Sequence, residues 1–174
     1  MAKRLGLPIA HFVASTNVND TVPRFLEKGN YEPNQSIATI SNAMDVGNPS
    51  NFIRIQEIYG NDFHNLKQHL SSFSYSDAMT QDAMRELYED FNYVADPHGA
   101  IGYLGAKDYL KLNPNTHCVF LETAHPTKFL NVVEDVIQKK LELPEQIKSV
   151  IHKKKSSINI CQYSELKSFL LNNL

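Results

Sequence analysis

Residues 117–141, HCVFLETAHPTKFLNVVEDVIQKKL, place the clearest strand of the chain, a polar loop and its clearest helix in direct succession. HCVFL (117–121) is a short apolar run of strand length. ETAHP (122–126) is polar. In 128–141, Val132, Val133, Val136, Ile137 and Leu141 fall on one helical stripe. A strand that leads through a polar loop into an amphipathic helix is the building unit of an α/β fold with a mainly parallel sheet flanked by helices.

The same unit recurs upstream. IAHFVAS (9–15) reads as a strand, followed by the loop TNVND (16–20) and a helix over 22–28 ended at Gly29. Residues 36–40 read as a strand, followed by the polar stretch SNAMDVGNPSN (41–51). The helix over 52–59 that follows carries Phe52, Ile55, Ile58 and Tyr59 on one face. The pattern predicts strands 9–15, 36–40 and 116–121 as parallel neighbours that carry their three loops on one edge. Further helices are expected over 65–72, over 78–88 behind the capping pair Ser76–Asp77, and from 100 to about 110. Downstream, 144–154 reads as helix, 157–162 as strand and 165–171 as helix. Residues 2–5 look like the last turn of a helix closed by Gly6, so the chain reads as one incomplete domain, 1–174, that begins inside an element.

Bulk properties exclude several classes. Of 174 residues, 42% are hydrophobic and 21% charged, ordinary values for a soluble globular protein. With 17 basic and 19 acidic side chains, the net charge of -2 favours neither nucleic acid nor an anionic membrane surface. The one basic cluster, HKKK (152–155), is short enough to be a solvated helix end. No apolar stretch reaches the ~20 residues needed to span a bilayer. Cys118 and Cys161 are distant and share no repeated spacing, so neither a disulfide framework nor a metal site is indicated.

In parallel α/β sheets, ligands bind just outside the carboxyl ends of the strands, where helix N-termini favour anions. The loops 16–20, 41–51 and 122–126 are therefore candidate site walls. Capping of the following helices explains their Ser, Thr, Asn and Asp residues equally well. Asp96-Pro97-His98-Gly99 has turn composition, and a lone histidine there is more often a structural hydrogen bonder than a catalyst. No glycine-rich phosphate loop and no nucleophile elbow is present, and His64 and His69, five apart, do not share a helix face.

Taken in order, AKRLGLPI (2–9), NDTVPRFL (19–26), ISNAMDVGNPSNF (40–52), DPHGAIGYLG (96–105) and LETAHPTKF (121–129) resemble the threonine synthase family, pyridoxal-phosphate enzymes of the tryptophan-synthase-β fold type. The resemblance spans essentially the whole chain. It implies the C-terminal part of the large cofactor-binding domain of such an enzyme. In the family, AKRLGLPI follows directly after a Ser-Gly-Asn-Phe-Gly type loop that cradles the cofactor phosphate, and the Schiff-base lysine lies earlier still. Neither has a counterpart here, and none of Lys3, Lys28, Lys107 or Lys128 matches that lysine. The resemblance therefore implies no catalytic residue in this chain, no activity alone, and no cofactor held by the isolated chain.

It carries over one cofactor contact. Thr123 matches the residue whose hydroxyl hydrogen-bonds the pyridine nitrogen of pyridoxal phosphate. Asn17, Asp45, Ser50, Asn51, His98 and His125 are expected as walls of the same region, without assigned roles. The implied reaction of the parent enzyme converts O-phospho-L-homoserine and water to L-threonine and phosphate, in the cytoplasm. The expected partner is that small molecule, with self-association through the face left open by the missing segment. A non-catalytic binding or regulatory module built from the same half-fold remains the alternative. The NAMDVGNPSN and ETAHP segments weigh against a different enzyme of the fold type, such as a dehydratase.

Overall fold

β1 (Phe12–Thr16) runs parallel to β2 (Leu70–Ser74), with Phe12 opposite Leu70 and Thr16 opposite Ser74. Parallel neighbours need a crossover connection. Here it consists of α1 (Thr21–Lys28), α2 (Phe52–Ile58) and α3 (Phe63–His69), with a long irregular stretch between the first two. α4 (Asp77–Phe91), α5 (Pro97–Leu112) and α6 (Leu130–Ile137) follow, the last preceded by a 3-10 turn over Pro126–Phe129. α7 (Glu145–Lys148) and α8 (Tyr163–Asn173) complete the order. The computed structural model describes residues 2–173. It is an α/β arrangement with a small parallel sheet flanked by helices, the fold class expected from the sequence.

Two compact units are present, Met1–Leu141 and Glu142–Leu174. The first holds two apolar clusters. One gathers Phe25, Leu26, Phe52, Leu66 and Leu70. The Phe25 ring meets Phe52 and Phe63 edge-on, at centroid distances of 5.0 and 5.5 Å, the arrangement that ring quadrupoles favour. The other gathers Ala83, Met84, Ala100, Phe129, Val133, Val136 and Ile137, joining α4, α5 and α6. α5 also packs on β1. Gly105 permits that approach, because a Cβ there would collide with the Ser15 hydroxyl. In the second unit, neither α7 nor α8 has a buried residue.

Local chemistry explains the well-read elements. α1 ends at Gly29 in the left-handed region (φ 80°), whose N–H donates to the Phe25 carbonyl. Ser76 accepts the Met79 N–H at 3.3 Å and starts α4. The Asp96–Gly99 segment, expected as a turn, is instead the first turn of α5. The Asp96 carboxylate accepts the His98 N–H at 2.8 Å, and Pro97 occupies the first helical position, where its missing N–H is not needed.

Several expectations are corrected. The first strand lies at 12–16 rather than 9–15, and 36–40 and 117–121 are not strands, so the three-stranded sheet of the sequence reading does not form. β1 pairs instead with 70–74, part of which had the pattern of a helix; pairing with β1 overrides local propensity there. Residues 118–121 keep a strand's alternation: Cys118 and Phe120 are half-buried, while Val119 (88%) and Leu121 (75%) are exposed. What they lack is a neighbouring backbone, without which no ladder exists. Residues 157–162 are likewise irregular. The helix expected over 128–141 is α6 alone, ended by Gln138 at φ 54°, and that expected over 144–154 shrinks to α7.

Candidate functional site

The carboxyl ends of β1 and β2 are tied together. The Tyr75 N–H donates to the Thr16 carbonyl (3.0 Å), and the Ser74 hydroxyl to the Asn17 carbonyl (2.8 Å). Asn17 is buried and central to a knot of polar side chains. Its Nδ2 donates to Thr39 Oγ1 (3.1 Å), Ser41 Oγ (2.9 Å) and Asp45 Oδ1 (3.1 Å). Its Oδ1 accepts the Asn19 N–H (2.9 Å) and side-chain amide (3.0 Å). Asp45 also receives the Thr39 hydroxyl (2.7 Å) and the Thr39 N–H (3.1 Å). The knot fastens the irregular 37–45 stretch to the end of β1 without a ladder. Buried polar groups that satisfy one another in this way specify one loop conformation.

A second cluster lies at the start of α5. Asp96 is fully buried; Oδ1 caps the helix, and Oδ2 has no hydrogen-bond partner among the described residues. Glu122 reaches it from 26 residues on, its Oε1 accepting the Asp96 N–H at 3.2 Å. Glu122 is an exposed residue, but its carboxyl loses part of its water where it meets the start of α5; that desolvation, and then the facing Asp96 side chain, push it up to about 7. The His98 ring lies 5.2 Å from the Phe129 ring. Burial lowers its basicity; Asp96 and Asp45 oppose that shift and Lys128 adds to it. His98 therefore feels the Asn17–Asp45 knot and the 121–129 segment together.

Thr123 is exposed and directly follows Glu122. The cap of the next helical turn is His125, not Thr123. His125 Nδ1 accepts the Thr127 N–H (3.2 Å) and lies 2.8 Å from the Thr127 hydroxyl. As an acceptor Nδ1 carries no proton, so the neutral ring holds its proton on Nε2. The capping explanation for Thr123 is thereby removed, and its hydroxyl engages no other described residue. Ser50 and Asn51 are exposed, and Asn51 stands at the cap position of α2 without a side-chain capping bond.

Of the residues singled out in the sequence, the structure joins Asn17 to Asp45 directly and brings His98 within reach of Asp45's charge. It sets Thr123 and His125 beside the Asp96–Glu122 contact through the chain. No hydrogen bond among the described residues links Ser50 or Asn51 to these groups. Sequence reasoning covered Asn19, Ser41 and Glu122 only as members of candidate loops and Asp96 only as the start of a turn, and it missed Thr39. The signal available was their position: each flanks a strand-like segment or a helix start. Among the described residues, no three His, Cys, Asp or Glu side chains form a metal-binding group.

Comparison with known proteins gives consistent results. The family described as threonine synthase, C-terminal, matches residues 99–169. Threonine synthase of Buchnera aphidicola subsp. Acyrthosiphon pisum is 44% identical over 172 residues, covering 98% of this chain and 39% of the relative. The Escherichia coli enzyme is 45% identical over 147 residues, covering 84% of this chain and 33% of the relative. The crystal structure of Escherichia coli threonine synthase superposes with a TM-score of 0.86 at 40% identity, covering 99% of this chain and 40% of that one. The PLP-bound threonine synthase of Brucella melitensis gives 0.75 at 28% identity, over 89% of this chain and 38% of that one. The chain thus spans about two fifths of the length of the relatives it matches.

Proposed function

The chain belongs to the threonine synthase family, whose C-terminal part it matches, and from that premise we propose that it serves in an enzyme converting O-phospho-L-homoserine and water to L-threonine and phosphate with pyridoxal phosphate. The observation that carries this reading is the match of 98% of the chain to a threonine synthase at 44% identity. The fold class and the exposed Thr123 hydroxyl support it.

The residues at Thr123 suit the cofactor's ring nitrogen. A hydroxyl can donate to an unprotonated nitrogen, whereas a carboxylate would hold it protonated. Thr123 is available for that bond because His125 takes the capping role. When bound, pyridoxal phosphate supplies an electron sink for carbanions formed on the substrate. This chain's own contribution is positioning. Thr123 donates to the ring nitrogen, the Asn17–Asp45 knot fixes the loop at the end of β1, and the apolar setting of His98 keeps its ring neutral. Ser50 and Asn51, with the loop they close before α2, are proposed as an outer wall. The reactive lysine and the phosphate-cradling loop belong to the remainder of the family fold, so the 174-residue chain alone is proposed to be inactive. No helix among the described residues is long and apolar enough to cross a membrane, and we place the enzyme in the cytoplasm.

The test is phosphate release from O-phospho-L-homoserine by the complete protein containing this chain, supplied with pyridoxal phosphate. Turnover that yields threonine supports the reading. No turnover in a folded, cofactor-loaded protein overturns it.

A further inference from the structure

Residues 113–125 contain no regular secondary structure, yet they carry Thr123, the residue assigned to the cofactor. Val119 and Leu121 are exposed and anchor nothing. Ala124 packs against the cluster of α4, α5 and α6, and two further side chains hold the segment on α5. Phe120 lies over Gly102 at 3.5 Å from the position a Cβ would take, with its ring 6.0 Å from that of Tyr103. Glu122 occupies the space above Gly99, where a Cβ would collide with its carboxylate. Gly99 and Gly102 are three apart and so share one face of α5. That bare face is the seat of the segment.

The Glu122 contact also resolves an anomaly. A carboxylate oxygen buried without a partner is costly, and Asp96 Oδ2 is such an atom. Glu122 already accepts the Asp96 N–H through Oε1, and the Asp96 side chain is among the groups that keep a proton on Glu122. Two ionised carboxylates would repel there. One proton between them satisfies Oδ2 and turns repulsion into a hydrogen bond.

We propose that Glu122 is a positioning residue whose protonated carboxyl donates to Asp96 Oδ2 while accepting the Asp96 N–H, latching the 120–123 segment onto α5 and fixing the place of Thr123. The latch concerns this chain's own atoms; its relevance to catalysis rests on the assignment of Thr123 proposed above.

Charged and titratable neighbours decide the pH range. Asp96, the cap of α5, favours the proton on Glu122, and the Tyr93 hydroxyl, just after α4, favours the charged carboxylate and opposes it. His98, the next titratable group along α5, feels Asp96 and Lys128 as opposing charges. The folded-state carboxyl lies above its ordinary value near 4.5, at about 7. The folded chain therefore holds the extra proton between those values. The latch's contribution to stability is complete below about 4.5 and is lost as pH rises through about 7. His98, lowered by burial, works in the opposite sense, so the pH dependence must be read as a difference against a variant.

Glu122→Gln keeps an acceptor for the Asp96 N–H and a permanent donor for Oδ2, and Glu122→Ala removes both. In the 174-residue chain, three readouts apply: the carboxyl carbon-13 titration of Glu122, amide exchange of Asp96, and the backbone order parameter of Thr123. The expected results are a Glu122 inflection near 7 and an ordered Thr123 with a protected Asp96 amide at acidic pH, both fading at alkaline pH. Glu122→Gln should stay ordered at both, and Glu122→Ala at neither. Wild-type stability relative to Glu122→Gln should fall with rising pH in urea titrations, a measurement that survives even if Glu122→Ala fails to fold. A Glu122 inflection near 4.5, a Gln variant that behaves like Ala, or an Ala variant with Thr123 unchanged overturns the latch. Thr123→Val tests the other reading separately: if it leaves cofactor binding and turnover intact while the latch results hold, only the assignment of Thr123 fails.

Discussion

Thr123 and His125 stand two residues apart on the same loop, and only His125 caps the turn that follows. His125 caps the Pro126–Phe129 turn through Nδ1, leaving the Thr123 hydroxyl free. Opposite signatures follow. Thr123→Val, close in shape, should leave the melting temperature of the complete enzyme unchanged and reduce turnover, since one hydrogen bond of about 0.5–1.5 kcal/mol net is lost at the ring nitrogen. The rate effect exceeds that range if the ring's electron demand falls at the carbanion step. His125→Ala should do the reverse, lowering stability by about 1 kcal/mol as for other lost caps, with a small effect on the chemical step. Paired melting and phosphate-release measurements on the two variants check both. A Thr123→Val protein that melts early and turns over normally would return the capping role to Thr123.

At the scale of elements, α5 is the organiser: β1 and α4 pack on it, it shares an apolar cluster with α6, and the 120–122 segment lies along its glycines. Gly105→Ala sets two magnitudes against each other. Alanine gains about 1 kcal/mol of helix propensity over glycine. Its Cβ, however, would collide with the Ser15 hydroxyl and lie 3.0 Å from the Ser15 Cβ and 3.3 Å from a Val13 methyl, and overpacking of that kind costs about 1–3 kcal/mol. The hydroxyl can rotate away, but the two carbon contacts remain, so the variant is expected to be less stable by urea titration despite its better helix former. Local order in the sequence explains which elements were legible. Helices with their own start and stop signals, such as Ser76 before α4 and Gly29 after α1, were readable to within a few residues. β2 was not, because nothing in Leu70–Ser74 beyond its pairing with β1 distinguishes it from the end of the preceding helix. Of the candidate site, Asn17 and Asp45 were singled out in polar loops after strand-like runs, His98 in a segment of turn composition, and Thr123 through the family resemblance. Asp96 and Glu122 were not, because their meaning lies in a contact between segments 26 residues apart.

At the scale of the whole chain, several large apolar side chains stand in water. Val119 is 88% exposed, Leu121 75%, Leu5 78% and Leu7 and Ile37 55% each. Residues 118–121 also retain a strand's alternation with no backbone beside them, which is the condition under which an edge recruits another chain. Exposed apolar side chains next to an open strand-like edge favour association, so the isolated 174-residue chain is expected to self-associate as its concentration rises. Sedimentation velocity over a concentration series measures this directly. The double variant Val119→Lys/Leu121→Lys should shift the equilibrium to monomer without unfolding the chain, because neither side chain contributes to either apolar cluster and charges on an edge are the usual means of blocking pairing. A wild-type chain that stays monomeric at all concentrations would show that its own 120–122 latch already protects that edge. An associated double variant would place the contact elsewhere on the chain.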